Sequence, residues 1–418
     1  MGEFHLKTGL SLMKIRPFSP LRPPNDLADV VASPPYDVID SLEARRMAVG
    51  NPKSFLHINK PEIDLAETIS LYDDAVYAKA KENFERFQQL GWLRREGQAG
   101  VYLYRQSFQG HSQTGVVAVC HTEDYDRDVI KKHEKTLKKK EDDRTRHVKT
   151  LRANAGPVFL MVRAQAELKS LMRDIEDGVP DADFVSPDGV RHTVWTAPDA
   201  ERICALFGEI PVAYVADGHH RSASAARCSR DCALANPSHT GEEDYNWFLS
   251  VLFPEDDLQV LPYNRLVKGL GGHTLESLLA AVKDAGFAVE GVPDGEPSGP
   301  GDMRMFVGGT WYRLMFPVPA EADPVEALDV SVLQAKLLGP VLGIDDPRTD
   351  ARIKFKGGYD CVHQLEQQVA QGKADVAFSL YPTRTEDIMA VADAGLIMPP
   401  KSTWFEPKLR SGLFVHTF

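Results

Sequence analysis

The sequence is poor in cysteine and has no long apolar run. Its five cysteines, Cys120, Cys204, Cys228, Cys232 and Cys361, are scattered, odd in number and never spaced as C-x-x-C. That fits thiols kept in a reducing compartment better than a disulfide framework. Nowhere do roughly eighteen apolar residues run together, and the opening residues carry no continuous apolar stretch of the secretory type. Neither membrane spanning nor export is expected, and the expected location is the cytoplasm. No fixed-period repeat and no low-complexity tract is present, which removes solenoids and disordered tails. Positive charge is in deficit, with 48 Lys and Arg against 60 Asp and Glu and a net charge of -12. General attraction to a polyanion is thereby opposed, and nucleic acid is not an expected partner.

What is there is ordinary globular material: 418 residues, 43% of them hydrophobic, enough for one large core or two medium ones. The residues before Met13 read as a dispensable extension. Residues 13–40 are proline-rich and predict an ordered loop with one edge strand, because proline neither donates to a sheet ladder nor sits inside a helix. Helical spacing of Ile69, Val76, Ala80, Phe84 and Phe87 predicts a helix over 66–90, stopped by Gly91. Residues 101–108 and 115–121 read as paired strands around Gln109-Gly110-His111, with further strands at 157–163 and 192–196. Residues 211–215 then predict a strand running through Asp217-Gly218 into an alanine-rich helix over 222–235.

Downstream, strands are expected at 247–253 and 258–261, a helix at 275–285, and a hairpin at 303–316 around Gly308-Gly309. Helices over 330–338 and 361–370 and a strand over 375–380 complete the pattern. The chain is read as α+β, with a boundary in the Gly/Pro-rich 291–301 separating domains at 13–290 and 302–418.

Two segments suggest chemistry. The first is Val215-Ala216-Asp217-Gly218-His219-His220-Arg221. The first amides of a helix have no intrahelical partner and the macrodipole is positive there, so an anion gains several hydrogen bonds at once. Asp217 suits a cap, Gly218 a positive φ, Arg221 a planar fork for phosphate oxygens, and His219 and His220 add donors or a proton carrier. The plainer alternative is that Asp217 only caps a helix and the histidines are packed or solvated. A metal is less suited to this segment, since neighbouring histidines on a helix diverge and no second cluster has ligand spacing.

The second segment is basic and spans 130–152, with Ile130, Leu137, Val148 and Leu151 as the inward side of an expected amphipathic helix. Its plain explanation is a solvated charged face. The sharper one is a helix facing substrate, on which Glu134, flanked by cations, stays ionised and takes a proton from an alcohol or holds magnesium beside a phosphate. Cys228 and Cys232, four residues apart, suit a buried helix face. Ser33-Pro34-Pro35-Tyr36-Asp37 suits a rigid turn or a loop closing over a ligand, and 398–405 a binding edge or a strand entering the core.

In their order along the chain, Lys14-Ile15-Arg16-Pro17-Phe18, the segment 33–39, Ser54-Phe55-Leu56-His57-Ile58, His133-Glu134-Lys135-Thr136, the segment 155–160, Ala216 to Arg221 and Met398 to Lys408 resemble the family called domain of unknown function 1015. Through D-G-H-H-R that family in turn resembles the fold of ParB partition proteins, sulfiredoxins and nucleotide-dependent free serine kinases. The resemblance implies a mixed-sheet, ParB/sulfiredoxin-like nucleotide-binding core with large insertions and a C-terminal α+β portion. It implies that Asp217, Gly218, His219, His220 and Arg221 bind nucleotide phosphates, with His220 and Glu134 in catalysis, Glu134 by role and not by aligned motif. Substrate contacts would come from His133, Thr136, Arg144 and Asp37. The implied activity is phosphotransfer from ATP or ADP, with Mg2+, to a small hydroxyl acceptor, free L-serine leading. The alternative is a ParB-like regulatory protein that hydrolyses nucleotide with no small-molecule acceptor. The signature lacks the sulfiredoxin cysteine, so peroxiredoxin repair is not expected.

Overall fold

The computed structural model describes residues 12–317 and 321–418; all but Leu12 of the extension before Met13 lies outside them. The chain forms two compact units, one running to Leu258 and completed by Pro407–Phe418, the other Gln259–Glu406. The segment 291–301, where composition suggested a boundary, therefore lies inside the second unit. It joins strands of one sheet, because glycine and proline mark any solvated connection, including one within a domain. The architecture is α+β, and among the described residues no helix is long and apolar enough to cross a membrane.

The first unit is built on a nine-stranded sheet among the described residues. Its strands are β1 (Ile15–Arg16), β2 (Tyr102–Phe108), β3 (His111–His121), β4 (Ile130–Lys131), β5 (Val158–Val162), β6 (Ala182–Val185), β7 (Arg191–Thr196), β8 (Ala213–Asp217) and β9 (Trp247–Pro254). They lie in the order β4-β8-β5-β9-β3-β2-β7-β6, with β1 added on β3. Two neighbouring pairs, β8 with β4 and β9 with β5, are parallel. Central strands read as continuous apolar runs because both faces are covered: Val116 to Cys120, Val158 to Val162 and Phe248 to Phe253 are all buried. The hairpin between β2 and β3 turns on Gln109 and Gly110, both at positive φ, at the predicted place.

On this sheet packs α3 (His219–Ala235), against it α2 (Lys138–Leu151), and against α2 in turn α1 (Asp74–Gln89). The helix expected over 66–90 is α1, which begins only where the Asp73 carboxylate accepts from the Ala75 amide. The expected helix over 130–152 is corrected more substantially. Ile130–Lys131 is a strand, 133–137 is a connection and only Lys138–Leu151 is helical. Leu137, expected to face inward, is exposed. Helical periodicity had bridged a short strand that exists only because β8 lies beside it.

The returning segment 407–418 stitches this unit together. Ser411 exchanges backbone hydrogen bonds with Ser33, Val415 does so with Leu21, and His416–Thr417 pairs with Ala153–Asn154. The proline-rich loop of the sequence is in this way held by the last residues of the chain.

Among the described residues of the second unit a six-stranded sheet runs β11-β13-β12-β15-β10-β14, where β10 is Tyr263–Val267, β11 Ala288–Val292, β12 Asp302–Val307, β13 Thr310–Met315, β14 Ile353–Gly357 and β15 Val376–Ser379. Helices α4 (Leu275–Asp284), α5 (Asp329–Leu333), α6 (Cys361–Ala370) and α7 (Thr385–Asp393) accompany it. The strand expected at 258–261 is instead an isolated bridge from Val260 to Phe405, and the true strand starts at Tyr263. The helix expected over 330–338 passes from α-helical α5 into a π-helical turn at Gln334–Leu338.

Candidate functional site

Strands β4 and β8 are parallel, with Ala213 opposite Ile130 and Tyr214 opposite Lys131. Their carboxyl ends therefore deliver the connection 133–137 and the segment Asp217 to Arg221 to one place, the usual position for a site in a parallel arrangement. Gly218 begins α3 with φ of 97°, and a Cβ there would lie 3.2 Å from Arg221 Nε and 3.5 Å from Val158 Cα. Only glycine makes this turn without strain.

Asp217 does not cap the helix, contrary to expectation. The residue preceding the first turn is Gly218, and no side chain caps it. Asp217 is instead held by Arg221, whose Nη2 donates to its Oδ2 at 2.7 Å, and by Lys408, whose Nζ is 3.9 Å from Oδ1. Burial pushes its carboxyl up, but Lys408, Arg221 and His219 outweigh that and hold it at about 2.

Arg221 also departs from the role read in the sequence. Its guanidinium turns back to the Pro157 carbonyl and Asp217, with Asp37 Oδ2 at 3.7 Å, and its side chain is 9% exposed. It fixes the turn and does not present an open fork. His220 is likewise engaged, its Nε2 accepting from the Leu137 amide at 3.0 Å. Burial, then Lys140, lowers its basicity, so it is neutral and acts as an acceptor there.

His219 and His133 meet edge to face with ring centroids 4.5 Å apart, 5% and 2% exposed. Both nitrogens of His133 and the Nε2 of His219 are buried without a hydrogen-bond partner among the described residues. Burial lowers both imidazoles, His133 to about 4, against a weaker opposing pull from Asp217; for His219 the charge of His133 adds to the lowering. At neutral pH each is an uncharged ring with one N–H to donate, so the proton-carrier role assigned to His219 from its position in the sequence does not fit its setting. Glu134, about half exposed, places Oε2 3.6 Å from His219 Nδ1.

The remaining expected residues divide. The structure brings Asp37 to Arg221, and Tyr36 beside it stacks under Arg144, whose Cζ is 4.0 Å from the ring centroid. Arg144 is spent on Asp143, 2.8 Å from Nε and 2.7 Å from Nη2. The Thr136 hydroxyl donates to Glu141 at 3.0 Å and ties the connection to α2. Most of the basic run is a solvated face: Lys138 pairs with Asp142 and Lys139 lies over the Tyr72 ring. Residues missed in the sequence are Lys408 and Asn154. Asn154, its Oδ1 buried and unpartnered, lines a cavity of about 30 Å³ with Tyr36, Arg144 and Arg221. The signal for Lys408 was its place at the end of the 398–408 run, which says nothing of the strand pairings that carry it back.

Magnesium finds no ready site. Among the described residues no group of three or more His, Cys, Asp or Glu side chains is arranged to hold a metal; of the carboxylates at the α3 start, Asp217 and Asp37 both face Arg221, and Glu134 lies beside His219. These residues do not fit a resident ion.

No curated protein matches the chain. Among solved structures it is similar to a free serine kinase in complex with AMP, at 15% identity and a TM-score of 0.35, over 70% of this chain and 86% of that one. It is also similar to a conserved hypothetical protein from Pyrococcus furiosus, at 14% identity and TM-score 0.35, over 71% of this chain and 93% of that one. A third is SbnI with C-terminal truncation from Staphylococcus aureus, at 11% identity and TM-score 0.36, over 69% and 82%. Residues 15–331 match the family model described as protein of unknown function, DUF1015, and the chain belongs to that family.

Proposed function

We propose that the first unit is a nucleotide-dependent phosphotransferase whose transferring phosphate lies at the start of α3, with free L-serine as the leading acceptor. The observation that carries this is the trio of buried imidazole nitrogens, two on His133 and one on His219, left without partners beside an uncapped helix start. Buried polar groups are nearly always paired, so an orphaned cluster at an anion-favouring helix end calls for a hydrogen-bonding ligand. Neutral imidazoles donate to phosphate oxygens without a fixed charge, while Lys408 and Arg221 offset the negative charge of Asp217.

In the proposed reaction the acceptor hydroxyl oxygen attacks the terminal phosphorus of ATP or ADP, and the bond to the bridging oxygen breaks, releasing ADP or AMP. Glu134 takes the hydroxyl proton. Both rings are buried, so binding requires a local opening around them.

Thermal melting with ATP and with ADP tests the reading. A rise with either nucleotide that is lost in His219→Leu supports the site, because a ligand bound only to the native state stabilises it by mass action. Mass detection of O-phosphoserine from free serine then tests the acceptor. No rise in the wild-type chain with either nucleotide sinks the proposal. Nucleotide hydrolysis that no hydroxyl acceptor accelerates replaces it with the ParB-like regulatory reading.

A further inference from the structure

The second unit contains a cavity of about 280 Å³ that the proposed phosphotransfer does not use. It is lined by β10, by the segment following β15, and by the starts of α5 and α7. Its volume falls just under the roughly 300–1,000 Å³ of sites for drug-sized molecules, so a compact ligand is called for.

Four charged side chains line it: Arg265, Asp329, Arg384 and Asp387. Two cancel, because Arg384 Nε and Nη2 grip the two carboxylate oxygens of Asp387 at 2.8 and 2.6 Å. The other two do not. Arg265 is 2% exposed and has no acidic partner among the described residues; its guanidinium donates to the carbonyls of Tyr263 and Lys401 and lies 5.3 Å from the Phe355 ring centroid. Among the described residues Asp329 accepts the Gly301 amide alone, at 2.8 Å, and has no cationic partner. Burial raises its carboxyl, the Gly301 bond lowers it, Asp387 and Asp302 raise it again and Arg384 offsets part of this, leaving it at about 6.

Burying a charge with no counter-charge is costly, and buried ions are found paired or bound to a ligand. One cavity here holds an unpaired cation and an unpaired anion that make no salt bridge with each other. A simple anion would serve Arg265 but add repulsion at Asp329, and a simple cation would do the reverse. A molecule carrying a carboxylate at one end and an ammonium at the other satisfies both. We infer that this cavity binds a small zwitterion of the free amino acid class, its carboxylate on Arg265 and its ammonium on Asp329.

The test uses the full-length chain without nucleotide. Melting temperature is followed with each of the twenty common amino acids, β-alanine and 4-aminobutanoate, and any that stabilises is titrated by calorimetry beside its N-acetyl and its carboxamide forms. We expect at least one free amino acid to stabilise the chain and both capped forms to fail. Asp329→Asn, which keeps an oxygen for the Gly301 amide, should weaken binding at least tenfold, and this variant decides if Arg265→Gln fails to fold. His219→Leu and Glu134→Gln should bind the amino acid as the wild type does. No response to any probe, equal binding of the N-acetyl form, or unchanged affinity in Asp329→Asn overturns the inference. Binding lost in His219→Leu but kept in Asp329→Asn also overturns it, since the amino acid would then sit in the phosphotransfer site.

Discussion

The first unit holds two buried histidine clusters that differ in one respect. His192 lies within the sheet, with Nδ1 2.7 Å from the Tyr104 hydroxyl and Nε2 accepting from Arg410 Nε at 3.2 Å. Ser186 receives Arg410 Nη2 at 2.9 Å, so that cluster is closed. His133 and His219 are as deeply buried, yet three of their nitrogens have no hydrogen-bond partner among the described residues. Burial depresses His192 to about 3, with Arg410 adding to it, and His133 to about 4, so protonation state does not separate the clusters. Satisfaction of hydrogen bonds does. A closed network rigidifies a core, whereas an open one beside a helix start points to something that is to be bound.

Catalysis should break the symmetry most strongly. Glu134→Gln, next to the open cluster, should lower phosphorylated product by about 10²–10⁴-fold while leaving the melting temperature unchanged; full turnover would remove Glu134 from the reaction. Acid should affect both clusters alike. An imidazole at about 4 in the folded chain and near its ordinary 6.5 when unfolded takes up its proton first in the unfolded state. Its contribution is present above about pH 6.5 and is lost as pH falls toward 4, about 3 kcal/mol for His133. Denaturant melts between pH 7 and 4 should therefore show a shallower loss in His133→Leu than in the wild type.

Truncation should separate the clusters again. His192→Ala takes one acceptor from Arg410 Nε and the ring partner from the Tyr104 hydroxyl, and should cost about 1–3 kcal/mol with the nucleotide response intact. His219→Leu removes an orphan and should cost less than about 1 kcal/mol while abolishing that response. If the two variants behave alike, the contrast is without functional meaning. The smallest effect on the nucleotide response is expected from Gly218→Ala, which should weaken it without abolishing it because the Arg221 side chain must move, at a stability cost of about 1 kcal/mol for the positive φ. Arg221→Ala is a poor probe by comparison, since it would unfasten the turn as well as change the potential.

Much of the scaffold was legible in the sequence. The β2–β3 hairpin, α1, and the strand-turn-helix of β8 and α3 follow from apolar spacing and from glycines at turns, which are local properties. The same locality explains the errors. Ile130–Lys131 forms a strand because Ala213 and Tyr214 lie beside it, and two residues carry no period to detect. The division into units escaped notice because the chain crosses at Leu258 and again at Glu406, and no composition shift marks a segment that returns to an earlier domain.

For the site, the sequence by itself determined where an anion-favouring helix start would stand, since Gly218 and the apolar strand before it suffice to build that turn. It also placed charged and titratable groups within reach. Which of them stay unengaged was decided only by tertiary structure. Arg221 and His220 are committed to Pro157 and Leu137, far away in the chain, and Arg144 to the Tyr36 ring, while His133 and His219 are left open among the described residues. Hydrogen-bond satisfaction depends on what long-range packing brings alongside each group, and that is fixed only when strands far apart in sequence come together.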